Sequence, residues 1–285
     1  MFLLAVIVSL PLTRAAVMNA EQRALALHVL HVGLHGDAFW PAMHAAEALT
    51  IAGQGDEVRR SLLPRLDVET DDQRRGGLAR ELVRAGDHRR AVVMFAILDL
   101  PDPYGHVHAA ESLFKVGWRG DGFQLWTAFT QVENPTLKLM AAAALAAHGE
   151  GRDQAAAMRY LRSFLATAPD PAMFRLAAWV LGRVGEESDI ALIRGRLGDA
   201  TDPRHRAMLD HAMAALGDEA GREQLLANLT SGDEWIRTAA ATFAGEIGAM
   251  EAVPQLISQL YDEYDDARIR AAQALFMLEN QSASL

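Results

Sequence analysis

Two stretches of the chain share one ten-residue pattern: HAAEALTIAG at residues 44–53 and HAAESLFKVG at residues 108–117. Both begin with His, place Glu three positions later and end with Gly. The apolar residues between them have helical spacing, since positions three and four apart share one face of an α-helix. A duplicated helix of this kind indicates a repeat protein, and the same frame recurs along the chain.

The frame occurs eight times, at intervals of 31 to 36 residues. Its second and third positions are mostly Ala, which lets neighbouring helices approach closely. Seven copies close on Gly, the residue that favours a helix C-terminus. A period of this length is typical of solenoids. The frames begin at His44, Gly77, His108, Met140, Leu176, Met208, Ala239 and Arg270.

A second apolar helix follows each closing Gly, as in EVRRSLLPRL (57–66) and EAVPQLISQL (251–260). Several repeats then begin with Asp or Asn before Pro, as in PDPAMF (169–174) and TDPRHR (201–206). Asp and Asn cap helix N-termini, and Pro is tolerated in the first turn. These signals predict an all-α fold, a right-handed α-solenoid of about eight helix pairs that forms one domain over residues 16–285.

Two late segments carry a family resemblance. EWIRTAAATFAGEIG (234–248) and DARIRAAQALFML (266–278) resemble HEAT repeats of the short, phycobilisome-lyase-like type, with an ARM-like fold. Arg206, Arg237 and Arg268 occupy the Arg position of that pattern, and the match extends over roughly residues 39–279. The resemblance implies a helical solenoid. Such solenoids serve as binding scaffolds, chromophore lyases and, in one branch, a metal-dependent hydroxylase.

The charge and composition of the chain exclude several classes of function. The net charge is −10, so a nucleic-acid partner is not expected, because phosphate binding requires clustered Lys and Arg. The absence of Cys excludes disulfides and thiolate chemistry. We find no Walker loop, nucleophile elbow or HExxH motif, and the sequence defines no cofactor.

The N-terminal stretch MFLLAVIVSLPLTRA, residues 1–15, has the length and apolar character of a signal peptide and is too short to span a bilayer. Small residues near Ala15 fit a cleavage site, although no Lys or Arg precedes the apolar run. We therefore expect an exported, periplasmic protein without an integral membrane segment in the mature chain. A cytoplasmic protein is the alternative.

The duplicated pattern also supplies candidate site residues. His44 with Glu47, and His108 with Glu111, lie three positions apart on a helix and can each form a pair. Arg80 lies between these two glutamates in the stack. One interpretation is structural: Arg80 bridges both glutamates across neighbouring helices, and each His bonds to its own Glu.

The other interpretation is a polar pocket in the first three repeats, around Gly76 and Gly77. We expect Trp40, Arg80, Tyr104 and His106 to bind a ligand there, such as a sugar or an organic acid. In an enzyme, His44, Glu47, His108 and Glu111 are the candidate catalytic residues, because His and Glu form general acid–base pairs.

A metal site is not assigned. The His-x-x-Glu spacing resembles that of carboxylate-bridged metal helices, but the metal-dependent hydroxylases of this solenoid type carry Glu immediately after His. Ala45 and Ala109 stand at those positions here. We therefore expect a binding or interaction scaffold that uses a concave groove for a protein partner or a small polar ligand. The alternative is an enzyme acting on a small molecule, or a metal-dependent oxidoreductase or lyase.

Overall fold

The computed structural model describes residues 16–131 and 133–283. Within those ranges the chain forms sixteen α-helices, four short 3-10 turns and no β-strand, so the predicted all-α solenoid is confirmed. The helices are α1 (Ala20–Leu34), α2 (Phe39–Ile51), α3 (Gly55–Val68), α4 (Asp72–Arg84), α5 (Ala91–Leu98), α6 (His106–Val116), α7 (Phe123–Gln131), α8 (Pro135–His148), α9 (Gly151–Thr167), α10 (Pro171–Val184), α11 (Ile190–Arg194), α12 (Pro203–Ala215), α13 (Glu219–Asn228), α14 (Glu234–Glu246), α15 (Val253–Gln259) and α16 (Asp265–Ala283).

The helices alternate between an inner and an outer layer. The even-numbered helices, from α2 to α16, pack side by side in chain order and form the inner layer. The odd-numbered helices pack outside them, so that α9 contacts both α8 and α10, and α13 contacts both α12 and α14. Because each inner helix is followed by an outer helix that returns, the inner helices all run in the same direction.

The first and last repeats pack against each other. Helix α16 contacts α2 within the inner layer and α1 in the outer layer. At this contact Gly33 lies so close to Ile269 that a Cβ atom on Gly33 would be 2.8 Å from the Ile269 side chain. The eight inner helices therefore form a closed ring. The sequence predicts an open concave groove, whereas closure of the ring places the inner surface around a central space.

The helix ends follow the signals read from the sequence. The side chains of Asn134, Asp170 and Asp202 cap α8, α10 and α12, each directly before Pro. Gly117 ends α6 in the left-handed conformation with φ 74°, which only Gly adopts without strain. Local chemistry thus fixes where the inner helices begin and end, and with them the register of the side chains that face the centre.

Two clusters of buried apolar side chains hold the ring together. One joins the first repeats to the last and includes Leu30, Leu49 and Phe276. The other fills the middle repeats and includes Leu113. Trp179 packs against both clusters. The shared packing of the first and last repeats gives ring closure an apolar driving force, in addition to its polar contacts.

The candidate signal peptide lies outside the described residues. Of the helices in the part of the chain that the structure describes, none is long and apolar enough to cross a bilayer. Export, cleavage near Ala16 and periplasmic localisation therefore stay predictions.

Candidate functional site

The ring encloses a chamber of about 500 Å³, to which every inner helix contributes side chains. We call this space the central chamber. From α2 to α16 in order, its wall includes His44, Arg84, Lys115, His148, Trp179, Met208, Thr242 and Arg270.

One side of the central chamber is aromatic. The rings of Phe114 and Trp179 meet edge to face, with centroids 5.7 Å apart, although they lie on α6 and α10. Phe243 and Trp235 of α14 continue this surface. Arg183 lies over both Trp179 and Phe243, at 4.5 Å from each ring centroid, and forms an ion pair with Glu246 at 2.7 Å. These rings give the chamber an apolar wall bordered by charge.

The opposite side is charged, and Glu47 lies at its centre. Its carboxylate oxygens are 3.0 Å from Arg84 of α4 and 3.0 Å from Arg270 of α16. Burial alone would raise the pKa of Glu47, but the two guanidinium charges outweigh burial and hold the pKa well below its ordinary value. Glu47 is therefore ionised at neutral pH and joins three inner helices.

Arg80 does not form the bridge that the structural interpretation predicts. It is buried, and its Nε donates to Glu81 at 2.6 Å, while Arg84 donates to the same carboxylate at 2.7 Å. Glu81 is fully buried and therefore needs both cations. Arg80 hydrogen-bonds neither Glu47 nor Glu111, although its charge helps to lower the pKa of each.

Glu111 pairs with Lys115, one turn further along α6. The two side chains are 2.6 Å apart. Burial opposes ionisation of Glu111, but the charges of Lys115 and Arg80 lower the pKa of Glu111 to about 2. Burial also lowers the pKa of Lys115, whose ammonium lies 5.4 Å from the centroid of the Trp179 ring. Lys115 thus pairs with Glu111 and also places its positive charge at the chamber wall.

The two histidines of the duplicated pattern have different surroundings. His44 lines the central chamber, and its Nδ1 lies 2.7 Å from the carboxylate of Asp266 on α16. Burial lowers the pKa of His44, so its Nδ1–H donates to Asp266 and its Nε2 is left as an acceptor without a partner among the described residues. His108 instead stacks on Trp40, with ring centroids 5.1 Å apart, and its buried Nδ1 has no partner.

Aromatic rings occupy the gap at Gly76 and Gly77. A Cβ atom on Gly77 would lie 3.2 Å from the Trp40 ring and 3.3 Å from the Phe39 ring. A Cβ atom on Gly76 would face the backbone of α6 at 3.9 Å. Gly77 therefore allows close packing of α2 against α4, whereas Gly76 faces α6 at an ordinary contact distance. Trp40 serves this packing and does not line the central chamber.

Tyr104 and His106 lie away from the chamber. The Tyr104 hydroxyl donates to Asp71 at 3.0 Å, and His106 Nε2 lies 3.0 Å from the carbonyl oxygen of Leu100. Of the eight candidate residues named from the sequence, the structure brings His44 and Glu47 into the chamber wall. Glu111 reaches it indirectly through Lys115, while Arg80, His108 and Trp40 pack behind it.

Several residues of the chamber wall were not predicted from the sequence, although the repeat frame contains a pattern that indicates them. The inner face of each helix carries the first, fourth and eighth positions of the repeat frame, which share one helix face. The eighth position is charged in four frames: Arg84, Lys115, Arg183 and Glu246. Arg270 fills the same first position as His44. No three His, Asp or Glu side chains in the described ranges cluster as metal ligands would.

Comparison with known proteins agrees with this architecture. The family model for HEAT repeats matches residues 124–213 and 199–275, which together cover more than half of the chain. The chain belongs to the HEAT-repeat family and is therefore a repeat scaffold.

A solved structure of human deoxyhypusine hydroxylase in complex with glycerol is also similar, with a TM-score of 0.41 and 19% sequence identity. The similarity covers 91% of this chain and 98% of that chain. No curated protein matches the sequence.

Proposed function

We propose that this HEAT-repeat protein is a small-molecule-binding protein whose ligand occupies the central chamber. The observation that carries the proposal is the convergence of all eight inner helices on one space of about 500 Å³. Ligand pockets of drug-sized molecules are typically about 300–1,000 Å³.

The chemistry of the wall supports a ligand with an apolar body and polar groups. The rings of Phe114, Trp179 and Phe243 offer apolar contact on one side. On the other side His44 Nε2 is an acceptor without a partner among the residues that the structure describes, and it is suited to a hydroxyl or amine of the ligand. The wall thus combines aromatic rings with many charged and polar side chains, and such a mixed lining suits a ligand that has both an apolar body and polar groups.

Ring closure favours a small ligand over a protein partner or polymer in the centre. The contacts of α16 with α1 and α2 leave no open end of the solenoid through which a long chain would lie. A protein partner is then a candidate for the outer surface only, where no single feature favours it.

Binding also fits the charges better than the alternative of catalysis by His-x-x-Glu pairs. Glu47 is bound by two arginines, and Glu111 is bound by Lys115. Both carboxyl groups have a lowered pKa, and a general base of such low pKa is a weak proton acceptor at neutral pH. Neither glutamate pairs with the histidine of its own repeat. This argument weighs against the enzyme interpretation.

A thermal-shift screen with blocked variants tests the proposal. The screen uses a fragment library of aromatic carboxylates, phosphates, alcohols and amines. Ala239→Phe places a ring in the chamber, whereas Ala191→Phe adds the same ring on the exposed face of α11. We expect fragments that raise the melting temperature of the wild type and of Ala191→Phe but not of Ala239→Phe. Thr242→Leu fills less of the chamber and replaces Ala239→Phe as the blocked variant if Ala239→Phe does not fold.

Two results would overturn the proposal. One is a library without any fragment that stabilises the wild type. The other is a set of fragments that stabilise the blocked variants as much as the wild type, since binding would then occur outside the chamber.

We further propose that residues 1–15 direct export and that the mature protein begins near Ala16. The apolar run of Phe2 to Leu12 supports this proposal. A fusion of residues 1–20 to a reporter should carry the reporter across the inner membrane, and intact-mass measurement of the exported protein should give Ala16 as its first residue. A cytoplasmic, uncleaved product contradicts it.

A further inference from the structure

One arginine beside the central chamber differs from those in its wall. Arg175 lies on α10 at four and eight positions before Trp179 and Arg183, which both line the chamber. Residues at these intervals share one helix face. Arg175 therefore continues the inner face of α10 towards the amino-terminal ends of the inner helices, where Trp235 lies in the first turn of α14.

Within the described part of the chain, the Arg175 guanidinium has no hydrogen-bond acceptor. Its carbon lies 5.4 Å from the centroid of the Trp235 ring, and it makes no hydrogen bond or ion pair with any described residue. Burial lowers the pKa of Arg175, and the charge of Asp202 opposes that shift without forming an ion pair. By contrast, Arg84, Arg183 and Arg270 in the chamber wall each hold a carboxylate. A half-buried guanidinium without a counterion is costly unless a ligand supplies one.

Trp235, which lies against Arg175, and Tyr264 supply further hydrogen-bond donors in the chamber wall. The indole N–H of Trp235 and the hydroxyl of Tyr264 have no partner among the described residues, and both side chains line the chamber. Tyr264 is 44% exposed, which places it at the opening. The Arg175 guanidinium and the ring of Trp235 beside it suit an acceptor-rich group of the ligand. By contrast, burial and the facing charges of Asp266, Glu234 and Asp265 raise the pKa of Tyr264.

We propose that the ligand of the central chamber carries an oxyanion, a carboxylate or a phosphate, which binds the guanidinium of Arg175 beside Trp235. This inference rests on the proposed small-molecule function. Guanidinium binds both oxyanions through paired N–H donors. The apolar remainder of the ligand then extends along Trp235 towards the rings of Trp179 and Phe243.

The test compares four probes of similar shape: 3-phenylpropionate, phenyl phosphate, 3-phenylpropanol and 3-phenylpropylamine. Binding is followed through the indole N–H resonances of the ¹⁵N-labelled protein, with the Trp235 signal identified by Trp235→Phe. We expect at least one anionic probe to shift the Trp235 signal and to bind about tenfold more tightly than the alcohol, as a charge-assisted hydrogen bond allows. The carboxylate and the phosphate form separate arms, so their ratio identifies the preferred oxyanion.

Variants at Arg175 assign the preference to this residue. Arg175→Gln should remove the advantage of the anionic probe over the alcohol, and Arg175→Lys should retain part of it. Arg206→Gln, which changes an exposed arginine of α12 without an ion-pair partner, should leave the preference unchanged.

The outcomes separate this inference from the proposed function. Equal binding of the alcohol and the anions overturns the oxyanion while leaving a ligand in the chamber. A preference for anions that survives in Arg175→Gln overturns the role of Arg175. Absence of binding by both anionic probes at millimolar concentration also overturns the oxyanion site, whereas the proposed function is decided by the Ala239→Phe screen.

Discussion

The Nδ1 atom of His44 and the carboxylate of Asp266 lie 2.7 Å apart, although 222 positions separate them in the chain. Together with the Glu47–Arg270 ion pair, this contact joins the first repeat to the last on the inner surface. Both contacts also form part of the chamber wall. The residues that close the ring are thus the same residues that would face a ligand, so the stability of the ring and the shape of the chamber depend on one set of charges.

The first prediction concerns Glu47. Replacing Glu47 by Gln leaves Arg84 and Arg270 without their shared carboxylate. Removal of one partner from a buried ion pair is strongly destabilising, so we expect a loss of about 3 kcal/mol in the free energy of unfolding, measured by urea denaturation. Glu251→Gln removes the exposed partner of Arg222 and should cost less than about 1 kcal/mol. Equal losses in the two variants would show that Glu47 is no more important than a surface pair.

The second prediction concerns the contact between α14 and α16. A Cβ atom on Gly245 would lie 2.7 Å from the Cα of Ala274, which is backbone and cannot move aside. We expect Gly245→Ala to destabilise the protein by about 1–3 kcal/mol. The matched control is Gly198→Ala, where a Cβ atom meets nothing within 4 Å. Thermal melts of both variants check this, and a fully stable Gly245→Ala would contradict the observed helix spacing.

The third prediction is a pH dependence at Asp210. Burial raises the pKa of Asp210 from 3.8 to about 6, with Arg206 opposing and Asp218 adding to the shift. A carboxyl whose pKa is higher in the folded state is destabilising when ionised, and this penalty grows as the pH rises from about 4 to 6 and is fully present above that range. Asp210→Asn should therefore be more stable than the wild type at about pH 8, by about 3 kcal/mol, and similar to it at about pH 4.

Asp67→Asn is the control for this effect, because Asp67 is exposed on α3. Urea denaturation at both pH values should show no pH-dependent gain for Asp67→Asn. A gain for Asp210→Asn that is the same at both pH values would mean that ionisation of Asp210 is not its cause.

The fourth prediction has the opposite sign. His211 is fully buried, and burial lowers its pKa from 6.5 to about 3. Above its ordinary pKa, the histidine is neutral in both the folded and the unfolded state and imposes no charge penalty. As the pH falls from about 6.5 towards 3, the unfolded state takes up a proton that the buried ring does not, so stability is lost. His211→Gln keeps a neutral side chain for Asn228, which contacts His211 at 3.1 Å. It should be less stable than the wild type at neutral pH but lose less stability on acidification. His35→Gln, on the surface, should keep the wild-type slope.

The fold can largely be predicted from the sequence, because the same local signals for helix starts and ends recur in successive repeats. The caps at Asn134, Asp170 and Asp202 and the closing Gly117 act within a few residues of where they stand. The Ala pairs predict close helix packing without knowledge of the partner. Such short-range causes can be recognised in one chain, and side-chain caps of this kind begin α4, α8, α10, α12 and α14.

Ring closure is different, because it depends on contacts between the ends of the chain. Nothing near His44 in the sequence indicates Asp266 as its partner, and Glu47 offers an equally plausible one at three positions. The curvature of the stack, summed over eight repeats, decides whether His44 pairs with Asp266 or with Glu47. Some chamber residues could be predicted from the sequence, because charged residues recur at the eighth position of the frame. That pattern identifies a chamber only when the inner helices are known to form a closed ring.

The fifth prediction separates the two histidines of the duplicated pattern. His44→Met removes the donor to Asp266, which is itself largely buried and whose pKa is lowered by the hydrogen bond from His44 and by the charge of Arg270. Leaving that carboxylate unpaired should cost about 1–3 kcal/mol. His108→Met removes a buried Nδ1 that has no partner and loses only the stacking on Trp40, so its net effect should lie within about 1 kcal/mol. Urea denaturation of the two single variants provides the comparison. Equal losses would mean that the two positions of the repeat are equivalent in the ring, contrary to the closure made by His44.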